Sequence, residues 1–273
     1  MKAFSQIKPV LVSVALLWGT AQAAPSADAV LDASPIDDIV AQYPAMMSQG
    51  IRDGLKRSGR VPPFAADTIG HMVSSSFNAR DIQAQIVADL ESNLSEAQLQ
   101  SVMDWYDTPL AQKIAEAEIA ASRPEAWAEI QAQAPALNKR FRGSERVEMF
   151  DRFDNASRAT ESAVDTSIAV QSGLATALSA LKGADAASFE QIQAQIENQR
   201  GMLEGMVNQQ VFDSYLFTYR DISASELDLY IRFLESDAGA RFSGVVTNSI
   251  QRAITAPIES IGNQMVRFLN PAS

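Results

Sequence analysis

The chain contains no cysteine. That excludes disulfide staples, thiol nucleophiles, thiolate metal sites and a lipid anchor on an N-terminal cysteine. It holds one histidine, His71, so a zinc site built from several imidazoles is excluded as well. There is no Gly-rich phosphate loop. Gly201-x-x-x-Gly205 encloses an acid, Glu204, and reads as a turn or a close helix contact rather than a nucleotide site. Strand signals are scarce, and the β-branched patch Val245-Val246-Thr247 sits inside a longer helical pattern. No run approaches the roughly 18 consecutive apolar residues of a spanning helix. Basic residues are outnumbered, 22 against 33 acids, for a net charge of −11. That balance opposes binding to nucleic acid or anionic lipid headgroups.

The N-terminus carries an address. Lys2 and Lys8 precede a mostly apolar run from Val10 to Trp18, and Ala21-Gln22-Ala23 has the small-x-small form of a cleavage site. This pattern predicts an export signal over residues 1–23, with Ala24 as the new N-terminus. An uncleaved anchor is the alternative, but the apolar run is too short to span a bilayer. Both leader lysines leave with the signal, so the mature chain is more acidic still. The expected address is the periplasm. Residues 24–33, rich in Ala, Ser and Asp, read as a flexible lead-in.

What the chain has in place of reactive groups is a repeated pattern. Leu94-Ser95-Glu96-Ala97-Gln98-Leu99 opens a segment that recurs, in altered residues, from Ile222-Ser223-Ala224-Ser225-Glu226-Leu227, without a gap. Ser95-x-x-Gln98 and Ser223-x-x-Glu226 are capping boxes, in which the serine and the residue three on satisfy each other's backbone N–H groups. Leu99, Val102, Met103 and Tyr106 form an i, i+3, i+4, i+7 stripe, and Leu227, Tyr230, Ile231 and Leu234 form it again. Trp105 and Phe233 stand beside the stripe at matching positions. Thr108-Pro109 and Ser236-Asp237 then restart the chain as a second helix under a hydroxyl cap.

The remaining pattern is helical throughout. Ser34-Pro35 predicts the start of a first helix, with Ser34 as its cap and Pro35 in its first turn, a kink or split at Pro44, and a stop at Ser58-Gly59. Arg60-Val61-Pro62 reads as a turn, and helices follow over about Pro63–Ser75 and Asn78–Asn93. The helix after the first capped unit runs from Pro109 toward Ala121, with Pro124 and Pro135 interrupting what comes next. Arg142-Gly143-Ser144 is the best boundary between halves. Beyond it lie a long pattern from Glu145 to about Leu181, a stop at Lys182-Gly183, a capping box at Ser188-x-x-Gln191, helices near 189–200 and 203–220, and a last helix from Asp237 toward Leu269 with a kink at Pro257. The expected fold is all-α, with two related units in tandem, 34–142 and 143–273.

The string from Leu94 to Lys113, with Trp105-Tyr106-Asp107-Thr108-Pro109-Leu110-Ala111-Gln112-Lys113 at its centre, resembles the signature of the domain of unknown function 2059 family. The second copy departs from that signature, with Leu234 for the second aromatic, Asp237 for Pro, and Gly239-Ala240-Arg241 for Ala-Gln-Lys. The resemblance implies an all-α fold and a periplasmic address. It implies no activity and no functional residue.

Asp67, His71 and Ser75 are spaced i, i+4, i+8. A Ser-His-Asp triad needs these groups to converge and needs oxyanion donors beside them. One helix face sets them in a row instead, so an exposed histidine is the expected outcome. Acid pairs, Glu116/Glu118, Asp104/Asp107, Glu145/Glu148 and Asp151/Asp154, are candidates for carboxylate catalysis. In so acidic a chain such pairs arise by chance. Arg142, Arg146 and Arg152 interleave with Glu145, Glu148, Asp151 and Asp154, as on a salt-bridged surface. The aromatic set Trp105, Tyr106, Tyr215, Phe217 and Tyr219 fits core packing better than a ligand groove. The sequence therefore predicts no catalytic, metal or cofactor site. It fits a non-enzymatic protein that binds another protein or an envelope component. A carrier of lipid or other apolar ligand in a cavity between helices is the alternative, and a carboxylate-based enzyme comes last.

Overall fold

A computed structural model describes residues 24–59, 62–180 and 189–269. The export signal, the turn at Arg60-Val61, the stop at Lys182-Gly183 and the Ser188 cap lie outside the described residues. Among the described residues the protein is all-α, with no strand. The first half comprises α1 (Ala27–Ala33), α2 (Ile36–Ser58), α3 (Pro63–Ser76), α4 (Ala79–Asn93), α5 (Glu96–Tyr106), α6 (Pro109–Ala121) and α7 (Ala126–Phe141). The second comprises α8 (Glu145–Glu148), α9 (Phe150–Ser157), α10 (Ala159–Ala180), α11 (Phe189–Glu197), α12 (Arg200–Thr218), α13 (Ala224–Glu235) and α14 (Asp237–Leu269).

The capped breaks form as their chemistry dictates. Ser95 and Gln98 close a reciprocal capping box on α5, and Ser223 and Glu226 close one on α13. Thr108 Oγ1 accepts from the Ala111 N–H, and Ser236 Oγ accepts from the Gly239 N–H. Each of these hydroxyls also donates to the carbonyl three residues back, that of Trp105 or of Phe233. The second break is the tighter. A Cβ placed on Gly239 would lie 1.9 Å from the Phe233 carbonyl oxygen, so glycine is what lets α14 start so close to the end of α13.

Three expectations are corrected. Residues 24–33 are not a flexible lead-in: Ser26 caps α1, which buries Ala27, Val30 and Leu31. Ser34 is not the N-cap of α2. It bridges the two helices, donating to the Leu31 carbonyl and accepting from the Ile36 N–H, while Pro35 takes the cap position. The pattern from Glu145 to Leu181 is broken twice, at Met149 and at Arg158. Arg158 adopts a left-handed φ of 55°, and Asp154 accepts from the Thr160 N–H beyond it. By contrast α2 and α7 run unbroken through Pro44 and Pro135.

Two large hydrophobic cores each draw on both halves of the chain. The first joins Val30, Val40, Ile86, Leu90 and the α5 stripe (Leu99, Val102, Tyr106) to Ala238, Phe242 and Val246 of α14. The second joins the α13 stripe (Leu227, Tyr230, Ile231, Leu234) and Phe150, Phe153, Tyr215 and Leu216 to Ile114, Ile130 and Leu137 of α6 and α7. Met103 packs half-buried at the edge of the first core, while Ile231 is fully buried in the second. Trp105 and Phe233 stack on each other between the cores, centroids 4.7 Å apart and planes 8° from parallel. Around this stack, Gln98 Nε2 donates to Asp237 at the start of α14, and Lys113 on α6 pairs with Glu226 at the start of α13. Each capped helix is thus fastened to the helix that follows the other capped helix.

Candidate functional site

The helix α6 carries its apolar stripe through Ala111 and Ile114, both buried. One turn beyond Ile114 the same face presents Glu118. Its carboxylate is delivered into the second core, among the rings of α9, α12 and α13. Glu118 Oε1 accepts two hydrogen bonds, from Tyr219 Oη at 2.6 Å and from Tyr230 Oη at 2.7 Å. The rings of Tyr219 and Tyr230 lie 5.9 Å apart, and Phe153 packs 5.5 Å from Tyr219 and 5.0 Å from Tyr215. Among the described residues no lysine or arginine reaches the carboxylate. Burial pushes the Glu118 carboxyl above the ordinary range, and the two phenol donors oppose that rise without cancelling it. Burial, reinforced by the Glu118 charge, pushes both tyrosines well above the usual phenol range.

Beside Glu118 an open cleft of about 290 Å³ lies between the end of α6 and α12, with Phe153 and Ala159 at its side. Its walls combine one carboxylate, the hydroxyls of Ser122, Ser214 and Thr218, and the rings of Phe153, Tyr215 and Tyr219. Tyr215 links the cleft wall to Arg146, which is 5% exposed. Its guanidinium donates to the carbonyls of Tyr219 and Ile222 and lies over Phe141, while its own carbonyl accepts from Tyr215 Oη at 2.8 Å. A cation on the carbonyl of Tyr219, the C-cap of α12, suits the negative end of the helix dipole, and its second bond satisfies the Ile222 carbonyl in the connection to α13. Burial pulls its pKa down, yet a guanidinium stays charged. Arg146 thus holds the strand of chain that leads from α12 into the second capping box.

Two wider clefts flank the turn between α6 and α7. One, about 560 Å³, is walled by Lys113, Glu116, Arg123, Glu125, Glu129, Arg220 and Asp221. The other, about 550 Å³, lies between α2 and α7, with Met46, Gly50 and Trp127 among Asp53, Lys56, Arg57 and Arg123. Trp127 is 47% exposed there.

The residues singled out from sequence are dispersed. Asp67 pairs with Lys56 at 2.6 Å, Ser75 Oγ donates to the Met72 carbonyl, and His71 is exposed, so no triad assembles. Asp104 accepts from Gln100. Glu116 is exposed on the opposite side of α6 from Glu118, because residues two apart on a helix do not share a face. The expected salt-bridged surface is corrected. Arg146 turns inward, and Arg152 reaches α13 instead, pairing with Asp228 at 2.8 Å and Glu235 at 2.6 Å. Asp154 is spent on the Thr160 N–H. Of the aromatic set, Tyr106, Tyr215, Phe217 and Tyr219 are buried in the cores. Trp105 is half-buried, its indole Nε1 enclosed without a hydrogen-bond partner. Sequence reasoning weighed Glu118 only as half of an acid pair and Arg146 only as surface. The available signal was a charge on an otherwise apolar stripe: Glu118 after Ala111 and Ile114, and Arg146 before Phe150 and Phe153. Among the described residues no group of His, Asp and Glu is arranged to hold a metal ion.

Residues 80–140, from the first turn of α4 to nearly the end of α7, match the family described as uncharacterized protein conserved in bacteria, domain of unknown function 2059. The matched span contains α5, α6 and Glu118; the segment holding α13 lies outside it. No curated protein and no solved structure matches the chain.

Proposed function

We propose that this is an exported, non-enzymatic binding protein of the bacterial envelope, made of two related helical units and released as the mature chain from Ala24. The observation that carries the binding role is the cleft between α2 and α7. There a half-exposed Trp127 stands with Met46 amid side chains of both signs. An aromatic anchor with a charged rim is the composition of a recognition surface. The export leader, the acidic balance and the match to a bacterial family support the address. The matching capping boxes and hydroxyl-capped breaks support common descent of the two units. Apolar cargo is less well served, because both wide clefts are walled by charged residues.

The test has two parts. The native protein should fractionate with the periplasm and begin at Ala24 on N-terminal sequencing. Immobilised mature chain should retain a reproducible partner from envelope extract and lose it in Trp127→Ala and in Gly50→Trp. The second variant fills the cleft from a position where a side chain meets nothing within 4 Å. Recovery from the cytoplasm, or equal retention by both variants, refutes the reading.

A further inference from the structure

We propose that the cleft at Glu118 is a binding site for a small organic ammonium ion. Glu118 is half-buried, and a carboxylate partly withdrawn from water favours a compensating charge. Two phenol hydroxyls supply hydrogen bonds to Oε1 but no charge. Oε2 has no hydrogen-bond partner among the described residues, and the cleft wall contains no lysine or arginine. The tyrosines therefore fix the carboxyl group in one orientation and leave its second oxygen uncommitted.

The walls narrow the class of cation. Phe153, Tyr215 and Tyr219 line the cleft with the margins of rings that are otherwise buried, an apolar wall that suits the carbon substituents of an organic ammonium ion. The remaining polar wall is neutral hydroxyl, which suits the N–H donors of a primary amine. A hard divalent ion demands six or more oxygen ligands, with several carboxylates among them, and one carboxylate does not meet that demand. A volume of about 290 Å³ admits a ligand of a few non-hydrogen atoms and falls just below the usual range for drug-sized molecules, about 300–1,000 Å³. The chain's net charge of −11 raises the local concentration of any cation near it. This site is separate from the cleft at Trp127, so failure of the partner test leaves it standing.

The experiment is a calorimetric titration of the full mature chain with n-butylammonium and tetramethylammonium chloride. Sodium chloride at matched ionic strength, magnesium chloride and n-butanol serve as comparisons. At least one ammonium ion should bind saturably in the millimolar range or tighter, and magnesium and butanol should not. Glu118→Gln keeps an acceptor for both tyrosines and should weaken binding by about tenfold or more. Ser214→Trp leaves the carboxylate in place, fills the cleft and should abolish binding, which decides the matter if the Gln variant fails to fold by circular dichroism. Absence of saturable binding by both ammonium ions, equal binding to Glu118→Gln or Ser214→Trp, or equal binding of butanol overturns the proposal.

Discussion

At the scale of single residues, Leu227 and Glu118 mark two contrasting positions in the second core, one fully buried and apolar, the other half-buried and ionisable. Leu227 is fully buried in the second core. Leu227→Ala should cost about 2–5 kcal/mol, the lost transfer energy plus the cavity left behind, measured by urea denaturation. Glu118 runs the other way. Burial raises its folded pKa above the ordinary carboxyl value, so between the two the folded state holds a proton that the unfolded state has released. Stability is therefore lost as pH rises through that window. Glu118→Gln removes the loss. Its melting temperature should equal the wild type's near pH 4 and exceed it at pH 7 and above. A variant less stable at every pH would show the carboxylate to be a net structural asset. Leu227 was legible in the sequence because it repeats a stripe. Glu118 was not, because its neighbours in space, Tyr219 and Tyr230, lie about a hundred residues away.

At the scale of the helix, the breaks matter more than the runs. Both capping boxes and both hydroxyl caps were readable, since each is closed by residues within three positions of one another. The break at Arg158 was not, because a left-handed arginine gives no local warning. What holds it is Asp154 reaching across to the Thr160 N–H. The first helix was missed for a related reason: seven residues are too few for periodicity to show, and packing against the first core sustains them. The tight join of α13 to α14 yields a sharper test. Gly239→Ala improves intrinsic helix propensity by up to about 1 kcal/mol, yet its methyl would fall on the Phe233 carbonyl. The clash should win, with a net loss of about 1–3 kcal/mol. Ala111, at the matching place in the first unit, carries its methyl buried in a core, so Ala111→Gly should also destabilise the protein. Opposite substitutions harmful at matched positions would separate local fit from propensity.

At the scale of the molecule, the boundary at Arg142-Gly143-Ser144 divides the sequence but not the cores. The α5 stripe needs Phe242 and Val246, and the α13 stripe needs Ile114. Fragments 24–142 and 143–273 should each show little cooperative unfolding alone. Mixed, they should recover helical signal and elute together at the size of the whole chain. Two independently cooperative fragments would show that the shared packing is dispensable. The all-α class was legible because helical periodicity is local. The exchange of partners across the Trp105–Phe233 stack was not, since no pattern within either half says which apolar face meets which. That exchange sets a timetable for synthesis. A chain emerges N-terminal end first, so α5 waits with an uncovered oily side until α14 has left the ribosome, well over a hundred residues later. The nascent protein is thus exposed to misassociation while its second half is synthesised, and holding it open until the last helix arrives becomes a task for whatever escorts it.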